Sequence, residues 1–168
     1  MNPNTPSHPQ IDPQTLGEHG GHVVYVMPMF LRLAASDPLR TIDFFTRVLD
    51  FDVMFRGPDA GGVPVLVHLR RSKYQDVLVM PSRQAVRPAM ALSISFAVAD
   101  ADALDALAEG IRRAAPESLE GPIDTPWNAR ELTVRDPDGN PFVFTARSRT
   151  PTAGSVDDVM RAAVRRGP

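Results

Sequence analysis

The feature that most constrains the fold is a hairpin pattern in residues 126–146, which read PWNARELTVRDPDGNPFVFTA. Residues 132–134 and 142–145 are rich in apolar, β-branched and aromatic side chains, which are typical of strands. Between them, Pro137 fixes φ at about −65° and Gly139 accommodates a positive φ. Asp and Asn side chains of the same turn can bond to their own backbone. The pattern predicts an antiparallel hairpin as the last two strands of the fold.

The order of predicted elements occurs twice along the chain. Residues 23–81 predict a strand, a helix and three strands, and residues 91–147 predict the same βαβββ order. Each predicted helix follows an aspartate suited to a helix N-cap, Asp37 in the first half and Asp100 in the second. Beyond each aspartate, apolar residues recur at the spacing of one helix face. The sequence therefore predicts two βαβββ modules.

Three segments lie outside the predicted modules. Residues 1–22 are rich in Pro, Gly, His and polar residues without periodicity, so we expect a mobile N-terminal arm. His19 and His22 in this arm suggest a metal site, but a flexible segment lacks the surrounding groups that orient metal ligands. Residues 82–90 are predicted to be a linker. Residues 148–168 are predicted to be a tail with a short helix that packs on the body or on a partner subunit.

Composition narrows the classes of function. The chain of 168 residues has no Cys, which excludes disulfides and thiolate metal sites and favours a reducing cytoplasm. Its net charge of −2 is unlike the basic surface that nucleic-acid binding requires. No apolar run approaches the ~20 residues of a membrane-spanning helix, and the N-terminus shows no secretory signal pattern. We therefore expect a cytoplasmic protein with neither a nucleic-acid nor a membrane partner.

The hairpin also carries a family resemblance. Pro126, Trp127, Arg130, Glu131 and the run 135–140 (RDPDGN) together resemble the last hairpin of the vicinal-oxygen-chelate superfamily, which includes glyoxalases, extradiol dioxygenases and bleomycin-resistance proteins. They are most similar to the bleomycin-resistance-like branch. The resemblance implies an α+β fold in which two βαβββ modules form a curled mixed sheet around a cleft, with the helices outside. It also implies a homodimer whose ligand lies near the subunit contact.

The metal positions of that superfamily hold other residue types in this chain. The resemblance implies that its enzymes bind one divalent metal through His, Gln or Glu on the first and last strand of each module. Counting from the strand–helix junctions and from the turn, these positions fall on Phe30, Leu78, Ser93 and Val143. Phe, Leu and Val have no lone pair for a cation, and Ser is a poor ligand at neutral pH. We expect neither a metal nor another cofactor.

The same strands predict an apolar-lined ligand cleft with few polar groups. Strand alternation places Arg32 on the face of Phe30, and Asp76 on the face of Leu78. Arg32 could hold an anionic or carbonyl group of a ligand, or it could form a structural ion pair with Asp76. Trp127 could stack on a flat ligand or close one end of the cleft. The predicted ligand-binding residues are Phe30, Arg32, Phe55, His68, Asp76, Leu78, Met80, Ser93, Ser95, Trp127 and Val143.

Three hypotheses for the function follow. The leading one is a metal-independent protein that binds a small planar or amphipathic molecule, such as an antibiotic or a secondary metabolite. The alternative is an enzyme: either a metalloenzyme with an atypical ligand set, or a metal-free lyase, isomerase or cyclase that uses Arg32, His68 and Asp76. The third is a module that works through its C-terminal helix without a small ligand. The sequence contains neither a Gly-x-Ser-x-Gly nor a phosphate-loop motif, and no catalytic residue is predicted.

Overall fold

The computed structural model describes residues 15–19, 22–25, 27, 29–82, 84, 87, 88, 92–150, 158 and 161. Within them, two four-stranded mixed sheets each belong to a unit with one α-helix, and two short strand pairs complete the fold. The predicted α+β class is confirmed. In this part of the chain, neither α-helix is long and apolar enough to cross a membrane.

The first described elements form a hairpin that overlaps the start of the predicted first module, residues 23–81. Strand β1 (Thr15–His19) pairs antiparallel with β2 (His22–Tyr25). The sequence analysis predicted a mobile arm over residues 1–22, so the strand at Thr15–His19 corrects that prediction. Its sequence, TLGEH, contains a glycine and no regular alternation of apolar and polar residues, so periodicity gave no signal. Residues 1–14 lie outside the described residues.

The first module contains one helix and six strands. Its elements are β3 (Leu31–Ala35), α1 (Pro38–Arg47), β4 (Asp52–Arg56), β5 (Asp59–Ala60), β6 (Val63–Pro64), β7 (Val67–Arg70) and β8 (Asp76–Pro81). The large sheet has the order β3-β8-β7-β4, in which β3 runs parallel to β8 and the other pairs are antiparallel. The short β5–β6 pair is an addition to the predicted order.

The second module repeats this arrangement. Its elements are β9 (Ile94–Ala97), α2 (Ala101–Ala114), a 3₁₀ turn (Pro116–Ser118), β10 (Leu119–Asp124), β11 (Ala129–Arg135) and β12 (Pro141–Arg147). The sheet has the order β9-β12-β11-β10, and β9 again runs parallel to its neighbour. Both first strands, β3 and β9, are therefore edge strands paired with the last strand of their own module.

Two predicted segments are only partly described. In the predicted linker, the Ser82 N–H donates to the Ala35 carbonyl at 2.8 Å, while residues 83, 85, 86, 89 and 90 lie outside the described residues. In the predicted C-terminal helix, Asp158 and Arg161 are helical, and its other residues lie outside the described part.

Aspartates begin both helices, as predicted. The Asp37 carboxylate accepts a hydrogen bond from the Arg40 backbone N–H at 3.1 Å, and Pro38 follows at the first helical position. The Asp100 carboxylate accepts from the Ala103 N–H at 2.8 Å. Each carboxylate satisfies an N–H that the helix itself leaves without a partner. Local sequence is sufficient to set where both helices start.

The turn between β11 and β12 forms as the hairpin pattern predicts. Asp136 Oδ1 accepts from the backbone N–H groups of Asp138 at 3.0 Å and Asn140 at 2.8 Å, and Gly139 has φ of +83°. Burial raises the pKa of Asp136, although these hydrogen bonds oppose the rise. Asp138 Oδ2 accepts from the Ser36 N–H at 3.0 Å, which ties the turn to the strand–helix junction of the first module.

One hydrophobic core joins the two modules. Phe45 of α1 lies edge-on to Phe142 of β12, with ring centroids 5.3 Å apart. Phe51 meets Phe96 of β9 in the same way at 5.5 Å. These rings belong to one continuous cluster of buried residues that also includes the apolar face of α2. The core therefore lies between the helices and one face of each sheet.

Candidate functional site

Each large sheet has one face in the core and one face turned away from the helices. On β8, Val77 and Val79 are buried in the core, whereas Leu78 and Met80 on the opposite side are only partly buried. On β12, Phe142 and the other core residues alternate with half-buried ones in the same way. We call the two sides turned away from the helices the open faces.

The open face of the first sheet brings four predicted site residues into one row. Strand register aligns Arg32 with Leu78, Leu78 with His68, and His68 with Phe55. We call this set the first row. Met80 lies one step along β8, opposite Ala34. The row offers a cation, an apolar side chain, an imidazole and an exposed aromatic ring.

The open face of the second sheet carries the corresponding second row. Register aligns Ser95 with Val143, Val143 with Thr133, and Thr133 with Glu120. Ser93 precedes β9 and is exposed. The predicted residues Ser95 and Val143 are therefore neighbours, and hydroxyl groups flank the valine on both sides.

A buried carboxylate, Asp76, is the centre of a polar cluster on the first open face. Its Oδ1 lies 2.7 Å from Arg70 Nε and 2.7 Å from His68 Nε2. Its Oδ2 accepts a hydrogen bond from the Tyr25 hydroxyl at 2.8 Å. The predicted Arg32–Asp76 ion pair is wrong, because other donors hold Asp76 and the Arg32 guanidinium contacts the Met80 sulfur at 3.8 Å.

The cluster keeps Asp76 ionised although the carboxylate is fully buried. Burial raises its pKa, but hydrogen bonds from His68, Arg70 and Tyr25 together outweigh burial and hold the pKa below its ordinary value. Burial raises the pKa of Tyr25, which therefore stays protonated and donates. The Tyr25 ring lies under the Arg70 guanidinium at 4.1 Å, and its hydroxyl accepts from the Tyr74 N–H at 2.6 Å.

His68 is oriented by this carboxylate. Because ionised Asp76 can only accept, the bond at Nε2 favours the tautomer that carries its proton there. In the neutral ring the second nitrogen, Nδ1, has a free lone pair, and the His68 side chain makes no other hydrogen bond within the described residues. Its side chain is 15% exposed, so a molecule on the first row can reach it. His68 is an oriented acceptor.

Trp127 lies beside the second open face. The indole Nε1 donates to Glu131 Oε1 at 3.2 Å, and the Thr145 hydroxyl donates to the same oxygen at 3.3 Å. Half of the Trp127 surface remains exposed. The hydrogen bond fixes the ring while leaving surface available for stacking, so the predicted stacking role stays a prediction.

A small cavity lies where the edge strands β3 and β9 meet, and we call it the seam pocket. It has a volume of about 140 Å³. Its lining residues are Met29, Phe30, Leu31, Tyr74, Gln75, Asp76, Ile94, Ser95 and Phe96. The seam pocket brings together three predicted site residues, Phe30, Asp76 and Ser95. The other predicted residues lie outside its lining, on or beside the open faces.

A larger groove lies on the opposite side of the core. It has a volume of about 450 Å³ and is formed by α1, the end of α2 and the β11–β12 turn. Arg40, Asp43 and Arg135 give it a charged rim, and Phe44 gives it an apolar wall. None of the predicted site residues lines this groove.

The four predicted metal positions do not fit a divalent cation. Phe30 lines the seam pocket, Leu78 is in the first row, and Val143 is in the second row beside Ser95. Their side chains, with Ser93, offer a single weak oxygen donor. Among the described residues, no group of three or more His, Asp or Glu side chains is placed to hold a metal ion.

Several residues of the site were missed by sequence reasoning. Met29 and Gln75 were not selected because they lie at strand ends, where alternation gives no clear face. Tyr25 contacts Asp76 across 51 positions of sequence, and no local pattern indicates such a pairing. Arg70 could have been found, because it lies two positions after His68 on one strand and so shares its face.

The sequence model of the Glyoxalase/Bleomycin resistance protein/Dioxygenase superfamily matches residues 21–144, and the chain belongs to this family. No curated protein matches the sequence.

Solved structures with the same fold include proteins of different kinds. TioX from Micromonospora sp. ML1 is 25% identical with a TM-score of 0.58, covering 71% of this chain and 97% of its own. TnmS3, an antibiotic binding protein from Streptomyces sp. CB03234, is 21% identical with a TM-score of 0.57, covering 71% and 93%. The fosfomycin resistance protein FosX from Listeria monocytogenes, complexed with Mn(II) and sulfate, is 14% identical with a TM-score of 0.56, covering 72% and 92%.

Proposed function

We propose that this chain is a cytoplasmic, metal-independent protein that binds a small planar or amphipathic molecule on its open faces. The observation that carries the proposal is the first row, in which Arg32, Leu78, His68 and Phe55 lie side by side on four neighbouring strands. A cation, an apolar surface, an oriented acceptor and a ring together recognise a flat molecule with polar ends.

The spacing of strands sets the length of the first row. Neighbouring strands are about 4.8 Å apart, so the backbones of Arg32 and His68, two strands apart, are separated by about 10 Å. A molecule of two or three fused rings spans this distance. Arg32 makes no ion pair within the described residues, so its guanidinium can bind a carboxylate or carbonyl at one end. His68 Nδ1 would accept from a hydroxyl or amine group near the other end.

Antibiotics and secondary metabolites are the ligand class we favour. TnmS3 is an antibiotic binding protein with the same fold, and at 21% identity it supports the fold alone. The proposed ligand class therefore depends on the chemistry of the first row, because many antibiotics and secondary metabolites are flat, apolar in the middle and polar at the edges.

We also propose that two copies of the chain form a homodimer that covers the open faces. Phe55, Ile123 and Trp127 lie on or beside these faces and are among the exposed large apolar side chains. Clusters of such residues mark surfaces that bind a partner or a ligand. The dimer mass in native mass spectrometry and in sedimentation tests this, and a monomer at micromolar concentration contradicts it.

The binding proposal is tested on protein purified from its own cells. Native mass spectrometry should find one bound organic molecule per site, and this molecule is then titrated by calorimetry. Arg32→Ala should weaken its binding at least tenfold, whereas Arg113→Ala on the exposed surface of α2 should leave it unchanged. A chelator should have no effect. Equal binding by wild-type protein and Arg32→Ala would place the ligand elsewhere.

The second candidate is a metal-free lyase, isomerase or cyclase, and the His68–Asp76 contact of 2.7 Å favours it. A histidine oriented by a carboxylate can remove a proton from a bound molecule. His68→Gln should then abolish turnover while the ligand still binds. If the wild-type protein returns the identified ligand unchanged, the binding function stands and the enzyme does not.

A further inference from the structure

The seam pocket has an exposed rim and a buried floor. Met29, Phe30 and Tyr74 form the rim, and Met29 is 73% exposed. Phe96 and Asp76 are buried at the floor. Exposed apolar side chains around a concave surface are unfavourable in water unless something covers them. The rim therefore indicates a binding position.

The lining is suited to an aromatic ring. Rings of Phe30, Tyr74 and Phe96 contribute to the wall, and Leu31 and Ile94 add aliphatic surface. Aromatic rings prefer edge-on or offset contacts with one another, which such a wall can supply. A dry cavity of about 150 Å³ in another protein holds one benzene molecule. The seam pocket, at about 140 Å³, therefore has room for one small aromatic group.

The polar groups of the pocket do not require a charged ligand. The charge of Asp76 is balanced by its own partners. The Gln75 Nε2 donates to the Ala97 carbonyl at 2.7 Å, and the Gln75 Oε1 is a buried acceptor without a hydrogen-bond partner among the described residues, so it favours a neutral donor. Ser95 makes no side-chain hydrogen bond within the described residues and lies exposed at the rim. Its hydroxyl can pair with a single substituent, such as a phenol or an indole N–H.

We propose that the seam pocket is an anchor subsite for one small neutral aromatic group, such as a phenol or an indole. It lies between the modules, next to β3, which carries Arg32 of the first row. One ring of a larger molecule therefore enters the seam while the rest lies across the open face. This inference rests on the proposed binding function and names the part of the ligand that the protein recognises by shape.

The test uses the full chain and indole as the probe. In methyl-detected NMR, indole should shift the Met29 and Ile94 methyl signals saturably, with a dissociation constant in the millimolar range. Ser95→Phe fills the pocket and should weaken indole binding at least tenfold. Ala106→Phe introduces the same side chain on the exposed surface of α2 and should change nothing. Absence of a saturable shift, or unchanged binding by Ser95→Phe, overturns the proposal.

The outcomes separate this subsite from the proposed function. If Ser95→Phe also weakens binding of the molecule identified by mass spectrometry, the seam anchors the natural ligand. If that molecule binds with Arg32 dependence but is insensitive to Ser95→Phe, the function stands and the anchor is wrong. If indole binds at the seam and no natural ligand depends on Arg32, the pocket stands and the proposed function is wrong.

Discussion

The two modules share a topology, and one pair of equivalent positions on their open faces accounts for a large difference in burial. Strand register makes Asp76 at the start of β8 equivalent to Pro141 at the start of β12. Arg70 faces Asp76 in the first module, and Arg135 faces Pro141 in the second. The Arg70 and Asp76 side chains are only 8% and 0% exposed. Arg135 instead pairs with Glu120 at 3.2 Å, and these side chains are 43% and 65% exposed.

The difference shows what one carboxylate contributes to a repeated fold. With Asp76 present, an arginine, a histidine and a tyrosine converge and bury a charged cluster beneath the N-terminal hairpin. Where Pro141 replaces it, the arginine turns to a surface partner and the face stays solvated. The first module therefore has a buried, hydrogen-bonded polar site, whereas the second has hydroxyl groups on exposed or half-buried residues.

Removing the buried Asp76 charge should have the largest effect on the free energy of unfolding. Asp76→Asn keeps the shape of the side chain but takes an ionised acceptor from three donors, so we expect a loss of roughly 3 kcal/mol in the free energy of unfolding. Urea unfolding followed by circular dichroism measures it. A loss below about 1 kcal/mol would mean that the cluster is no more than a surface network.

Acidification should weaken the same cluster. The pKa of Asp76 is lower in the folded protein than its ordinary value of 3.8, because hydrogen bonds outweigh burial. Such a carboxylate stabilises the fold above the unfolded-state pKa and loses this contribution as the pH falls through the folded-state pKa. The stability difference between wild type and Asp76→Asn should stay constant down to about pH 5 and shrink below 3.8.

Asp136 has the opposite pH dependence. Burial raises its pKa, so its contribution to the stability of the fold decreases as the pH rises. For this reason the informative quantity is the difference between wild type and Asp76→Asn. Acid unfolding of the wild-type protein alone reports the combined effects of Asp76 and Asp136. A difference that grows on acidification would contradict the assigned sign for Asp76.

Tyr25→Phe tests what the N-terminal hairpin contributes to the Asp76 cluster of the first module. The variant keeps the ring under Arg70 but removes a hydroxyl that donates to Asp76 and accepts from Tyr74. We expect a loss of about 1–2 kcal/mol, because two buried hydrogen bonds disappear. Urea unfolding gives the value. Tyr74→Phe is the matched control, because Tyr74 contacts Tyr25 through its backbone N–H and its ring, both of which Phe keeps. Similar losses in both variants would contradict this role.

The surface pair of the second module should give the smallest effect. Glu120→Gln removes a charge from an exposed ion pair with Arg135, so the free energy of unfolding should change by less than about 0.5 kcal/mol. Moderate salt should reduce even this difference. A loss comparable to that of Asp76→Asn would show that the two modules do not differ in the way their exposures indicate.

Local patterns predicted most of the fold and part of the site. The helix caps at Asp37 and Asp100 and the turn at residues 136–140 involve contacts within four positions, which sequence reasoning can follow. Strand alternation placed Asp76 and Leu78 on one face of their strand, and the structure has both facing β7 residues of the first open face. It did not predict which donors would reach Asp76, because strands β7 and β8 and the N-terminal hairpin had to assemble first.

The sequence by itself determined the βαβββ order of the main elements in each module, the start of each helix and the final hairpin, because propensity, capping and turn geometry act over a few residues. Only the tertiary structure decided that Tyr25 and Arg70 hold Asp76, and that Phe30 and Ser95 meet in one pocket. These contacts join residues far apart along the chain. Their geometry depends on how whole strands pack, and side-chain identity alone does not specify it.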